Sequence, residues 1–157
     1  MKVLLLRISW FIIAVLVVVL DYFTKSLAIL YLAPYQSKLV CSVFSLTLAY
    51  NTGAAFSFLS KAGAWHRWFF AGFSLIMSCV LSFWLLQMRE ASRLQLTALS
   101  LILGGAIGNL YDRLMYGYVI DFLDFHYLDH HWPIFNLADT AICIGAFLLF
   151  IDLKYTK

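Results

Sequence analysis

The chain has 157 residues, 64% of them hydrophobic and only 12% charged, with a net charge of +3. No single soluble core of this length needs so much apolar side chain, so the excess must face lipid. A soluble enzyme is excluded, and no basic stripe interleaved with aromatics points to nucleic acid.

Segments of about 18 or more largely uncharged residues, the length that crosses a bilayer as a helix, predict four spans at about 8–32, 68–87, 94–111 and 136–151. All belong to one membrane-embedded domain, 1–157. Lys2 and Arg7 before the first span imitate a signal peptide, but the apolar run is too long and meets no small-x-small cleavage site, so it stays as a helix. Asp21 and Lys25, four residues apart within it, stack on one helical face and are expected to neutralise each other near the helix end as structural support.

After Ala33-Pro34, residues Val43 to Tyr50 alternate, with Phe44, Leu46, Leu48 and Tyr50 on one face and Ser45, Thr47 and Ala49 on the other. That is a strand signature. Asn51-Thr52-Gly53 follows as a turn sequence, in which Asn51 can also offer an amide to an extended peptide while Gly53 permits close approach. Phe58 to Phe70 contains Trp65, His66, Arg67 and Trp68, a mixture suited to headgroup depth and expected to lie on the membrane as an interfacial segment.

The third span carries Gly104-Gly105-Ala106-Ile107-Gly108-Asn109. With no strand before it this is not a phosphate loop, and Gly104 and Gly108 instead allow close helix contact. Asn109, Asp112 and Arg113 fall at i, i+3 and i+4 and so share a face. Helix-dipole complementation accounts for Arg113 alone. Val119 to Phe125 is rich in β-branched and aromatic residues and is expected to pair with the first strand. Asp121 lies inside it, a poor place for an unpaired carboxylate. His126, His130 and His131, with Asp129, lie in a weakly patterned loop without ligand spacing, so no metal is expected. Asn136-Leu137-Ala138-Asp139 reads as a helix N-cap followed by a carboxylate at N3.

Cations gather on the side of the two termini. Lys2, Arg7, Arg89, Arg93, Lys154 and Lys157 against Glu90 and Asp152 give +4, whereas the opposite side balances to −1. Both termini are therefore expected in the cytoplasm. Cys41, Cys79 and Cys143 are odd in number and two fall in predicted spans, so reduced, packed thiols are expected rather than disulfides.

The ordered set Asp21-Tyr22-Phe23-Thr24-Lys25, Asn51-Thr52-Gly53-Ala54-Ala55-Phe56, Gly104 to Arg113, Val119-Ile120-Asp121-Phe122 and Phe135-Asn136-Leu137-Ala138-Asp139 resembles the bacterial lipoprotein signal peptidases, also called signal peptidase II. The resemblance spans nearly the whole chain. It implies an all-α integral membrane protein of four transmembrane helices with a small extracytoplasmic β-sheet. It also implies a cofactor-free aspartyl endopeptidase in the bacterial inner membrane, which removes the signal peptide from diacylglyceryl-modified prolipoproteins. Carried over by motif, Asp121 and Asp139 would be catalytic. Asn51, Gly53, Asn109, Arg113 and Asn136 would line or support the substrate site beside Asp112. Ile120 stands where valine is more usual, an exchange expected to be silent.

The chemistry suits the residues, because two facing carboxylates sharing one proton can activate water and protonate the amide. A small proton-coupled membrane transporter using the same aspartates is the alternative reading. Against it, the second and third spans offer no ionisable residue at mid-depth, and inverted repeats are absent.

Overall fold

The computed structural model describes residues 8–53, 65–88, 91–128 and 130–155. Among the described residues, four helices carry the fold: α1 (Phe11–Tyr31), α2 (Trp65–Gln87), α3 (Arg93–Met115) and α4 (Leu137–Tyr155). The segments Phe11–Tyr31, Arg67–Gln87 and Arg93–Met115 are each long and apolar enough to cross a membrane. At about 1.5 Å per residue, α1 alone reaches about 31 Å, the thickness of the hydrocarbon layer. Side chains such as Phe23, Leu30, Ile76 and Phe83 stand more than half exposed, as lipid-facing surfaces require.

Local sequence sets the ends. Leu32, two residues before Pro34, already has extended backbone and closes α1 with its N–H on the Ala28 carbonyl. Ser92 caps α3 by accepting from the Gln95 N–H at 3.0 Å, and its hydroxyl donates to buried Asp152 near the far end of α4. Beyond Met115 the chain turns at Gly117, whose φ of +85° is open to glycine but strained for other residues.

α3 is the central helix and packs on α1, α2 and α4. Its glycines allow this. A Cβ at Gly104 would stand 2.7 Å from the Ala14 carbonyl of α1, and one at Gly105 would stand 2.3 Å from the Ala138 carbonyl of α4. Ala14, Leu81, Leu85, Leu99 and Leu103 fill one core between the helices. A second core, of Ala28, Leu48, Ile120 and Phe122, joins α1 to a sheet.

The sheet is antiparallel with order β1-β2-β3-β4, formed by Ser37–Cys41, Phe44–Asn51, Val119–Tyr127 and His130–His131. The expected pairing of the two long strands is present, and β1 and β4 extend it. The expected uninterrupted alternation is not. Leu46 pairs with Leu123 but Ala49 pairs with Asp121, so Thr47 and Leu48 together oppose Phe122 in a bulge. Ser45 and Thr47 therefore share a face with Leu48 and Tyr50, and the sides exchange beyond the bulge.

Other expectations need correction. Of the interfacial segment 58–70, residues 58–64 lie outside the described residues, and 65–70 form the first turns of α2. The helix of the third span continues past the expected 111 to Met115, and the polar cluster is helical, as its spacing implied. The three cysteines are free but exposed rather than packed, since Cys79 and Cys143 occupy uncovered helix surface and Cys41 the sheet edge. His126 and His131 face each other across β3 and β4, with Ser45 and Asp124 as their partners, rather than sitting in a loop. Asp129 lies outside the described residues.

Candidate active site

Asp121 is 2% exposed in the middle of β3. Its partner across the sheet is Ala49, which makes Asn51 the diagonal neighbour on the same face. The bulge produces this arrangement, because with unbroken alternation Leu48 would oppose Asp121 and Asn51 would lie on the opposite side. Asn51 Nδ2 donates to Asp121 Oδ2 at 3.0 Å, while Asn51 Oδ1 accepts from the Gly53 N–H at 3.0 Å. The turn reading of Asn-Thr-Gly holds, and the turn fixes which end of the amide meets the carboxylate.

Asp139 comes from a different element. Asn136 caps α4, its Oδ1 accepting from the Asp139 N–H at 2.9 Å, and this puts the carboxylate in the first turn where the helix dipole favours it. The same Asn136 donates through Nδ2 to Asp121 Oδ1 at 2.7 Å. Asn109 of α3 donates to Asp139 Oδ1 at 2.7 Å, and its own Oδ1 lies 3.1 Å from Asn136 Nδ2. One amide pair therefore joins the two carboxylates, which the sequence separates by a strand, a hairpin and a cap.

Beneath the amides lies a buried ionic cluster. Lys25, 2% exposed, contacts Asp21 Oδ2 at 2.7 Å and Asp112 Oδ2 at 2.8 Å and donates to Asn109 Oδ1 at 3.1 Å. The expected Asp21–Lys25 pair is present within a helix that runs on to Tyr31, and Asp112 joins it as a third member that the spacing did not reveal. The shared face of Asn109, Asp112 and Arg113 also divides. Asp112 turns toward Lys25 and β3, whereas Arg113 lines the cavity, with its guanidinium 5.6 Å from the Phe70 ring. Arg67 of α2 holds the end of α3 by donating to the carbonyls of Arg113 and Leu114 at 2.9 and 2.7 Å.

Burial, and secondarily the charge of Asp139, push the Asp121 carboxyl up to about 7, against the opposing pull of the Asn51 amide and the Lys25 charge. The pair therefore carries one proton close to neutrality, and that proton belongs to both. A cavity of about 490 Å³ opens beside Asp139, Asn51, Asn109 and Arg113. Its remaining wall is largely apolar, from Trp132, Pro133, Ile134, Ile142 and Ile144. Such a space accepts a polar backbone at one end and hydrocarbon at the other. No group of three or more His, Cys, Asp or Glu among the described residues is placed to hold a metal.

Sequence reasoning missed Asp124. It is 2% exposed on the face of β3 away from Asp121, accepting from Thr47 at 2.8 Å and paired with His131 at 2.8 Å. The alternation of β3 gave the only available signal, placing residues 121 and 124 on opposite faces.

A family model described as signal peptidase (SPase) II matches residues 13–155. A lipoprotein signal peptidase of Pseudoalteromonas atlantica is 49% identical over 155 residues, covering 97% of this chain and 92% of that protein. One from Cupriavidus necator is 50% identical over 143 residues, with 91% and 81% covered. Two solved structures, each described as a bacterial membrane enzyme determined by the in meso method, superpose with TM-scores of 0.82 and 0.81. They are 31% and 30% identical and cover 92% and 95% of this chain and 87% and 94% of theirs.

Proposed function

This chain belongs to the signal peptidase II family, and from that premise we propose that it removes signal peptides from diacylglyceryl-modified prolipoproteins, with Asp121 and Asp139 as its catalytic pair. The observation that carries the reading is the convergence of these carboxylates, from β3 and α4, on the Asn109 and Asn136 amides beside an amphipathic cavity. The transporter alternative finds no support, since the relatives above are named peptidases.

In the proposed reaction, the ionised member of the pair takes a proton from water as the oxygen attacks the scissile carbonyl. The protonated member hydrogen-bonds the carbonyl oxygen as it gains charge. Collapse of the tetrahedral intermediate breaks the C–N bond, with a proton delivered to the departing nitrogen, and the pair ends with the single proton it began with. Asn51 and Arg113 would hold the peptide backbone, and the wall from Trp132 to Ile144 would take apolar substituents.

Placement supports the substrate class. α4 would make the fourth crossing of one membrane domain, with both termini cytoplasmic, because cations gather on that side and acids on the other. Tyr22, Tyr35, Tyr111 and Tyr116, all substantially exposed, surround the other end, as aromatic side chains do at the interface of a bilayer. The site would then open at the outer surface of the bacterial inner membrane, where an acylated substrate is already anchored. Asp121→Asn and Asp139→Asn, purified in detergent with lipid, should fold and fail to cleave a diacylated precursor. Normal turnover by either would remove that residue from the pair.

A further inference from the structure

Lys25 does more than neutralise a neighbour. Its three N–H groups meet three acceptors, Asp21 Oδ2, Asp112 Oδ2 and Asn109 Oδ1. Each of those acceptors has a second attachment. Asp21 Oδ1 accepts the backbone N–H of Ala138 at 2.8 Å, and Asp112 Oδ2 accepts the backbone N–H of Ile120 at 3.1 Å. Ala138 immediately precedes Asp139, and Ile120 immediately precedes Asp121. Asn109, its oxygen held by the ammonium, is left with Nδ2 turned to Asp139 at 2.7 Å.

We propose that Lys25 is the positioning residue for both catalytic carboxylates, setting β3 through Asp112, α4 through Asp21 and the bridging amide through Asn109. This rests on the assignment of Asp121 and Asp139 as the catalytic pair. A satisfied core lysine would need one anion. Here two carboxylates surround one cation, and each also accepts the backbone N–H of the residue preceding a catalytic side chain. Two elements with no sequence proximity are thereby registered against one point on α1. The ammonium does not line the substrate cavity, so its influence falls on the reacting groups rather than on substrate binding.

The charge acts as well as the geometry. Around Asp121 stand the anion Asp139 on α4, the anion Asp112 and cation Arg113 on α3, and the anion Asp21 and cation Lys25 on α1. Removing Lys25 leaves the anions in excess, which favours the protonated form of the pair.

The test compares Lys25→Met and Asp112→Asn in the full chain, purified in detergent with lipid, by steady-state cleavage of a diacylated precursor across pH. In Lys25→Met, kcat should fall at least about 100-fold with KM within about threefold, and the alkaline limb should move upward. Asp112→Asn keeps an acceptor for the Ile120 N–H while deleting an anion, so its kcat should fall less and its limb should move downward. Should Lys25→Met fail to fold, the downward limb in Asp112→Asn decides the matter. A folded Lys25→Met with parental kcat, or a limb that stays fixed in whichever variants fold, overturns the positioning role. Parental turnover by Asp121→Asn or Asp139→Asn would instead overturn the catalytic pair, so the two failures are distinct.

Discussion

Gly105→Ala tests how tightly the proposed catalytic geometry depends on helix spacing. The new Cβ would stand 2.3 Å from the Ala138 carbonyl oxygen and 2.7 Å from Ile142 Cγ1. Ordinary contact begins near 3.4 Å, so the first turn of α4 must retreat from α3 by about 1 Å. The obstacle is backbone, which cannot rotate aside. Overpacking costs about 1–3 kcal/mol, and the better helix propensity of alanine offsets about 1 kcal/mol of it, so the variant should still fold. Catalysis has less tolerance, because a displacement of about 1 Å in a reacting group can cost about 100-fold in rate. Asp139 is the next residue after Ala138, and it moves with the turn. The assay is cleavage of a diacylated precursor by purified protein in detergent with lipid, beside thermal unfolding. Gly72→Ala, with nothing within 4 Å of the added carbon, is the control and should keep full activity. A folded Gly105→Ala that cleaves within about threefold of the parent would refute the claim that the glycine contact sets the site.

Three further outcomes are expected. Because the Asp121 carboxyl is raised to about 7, cleavage should decline above that pH as the pair loses its shared proton. The folded value lies above the ordinary one, so the protonated form is preferred on folding, and the stability it brings is full at low pH and lost as pH rises through about 7. Asn51→Ala, which removes a donor favouring the ionised form, should shift the activity limb upward; a limb that moves down would contradict the assignment. Arg67→Ala removes two charged hydrogen bonds to the end of α3 and should destabilise the fold by about 1–3 kcal/mol. Thermal unfolding in detergent reads this, and an unchanged midpoint would show the tie to be idle. Turnover should survive saturating chelator, and a loss restored by adding a divalent metal would mean that a metal participates.

Much of this architecture was legible from residue type and spacing. Long uncharged runs marked the helices, because lipid leaves few alternatives to a self-satisfied backbone. Pro34 and Asn136 marked boundaries through their own conformational limits. Asp121 and Asp139 stood out because unpaired carboxylates do not persist in apolar surroundings without a reason. What stayed hidden were relations between elements. Lys25 looked like half of a local pair because helical spacing reveals only a partner four residues away, and Asp112 arrives from another helix. Asp124 hid among the outer-side acids, since nothing local shows that Thr47 and His131 enclose it. The fourfold-spaced glycines announced a close helix contact, but Gly105 and its neighbour on α4 required the packed structure.

The extra residue in β2 makes the alignment of two strands a chemical variable. If Leu48 slipped into line with Asp121, as an unbulged strand would place it, the two strands could still hydrogen-bond along their span, so the sheet could survive. Everything beyond Thr47 would turn over. Asn51 would be delivered to the hydrocarbon packed on α1, and a tyrosine ring would press on the acid in its place. Lateral alignment, unreadable from any single side chain, thus decides which group meets the acid.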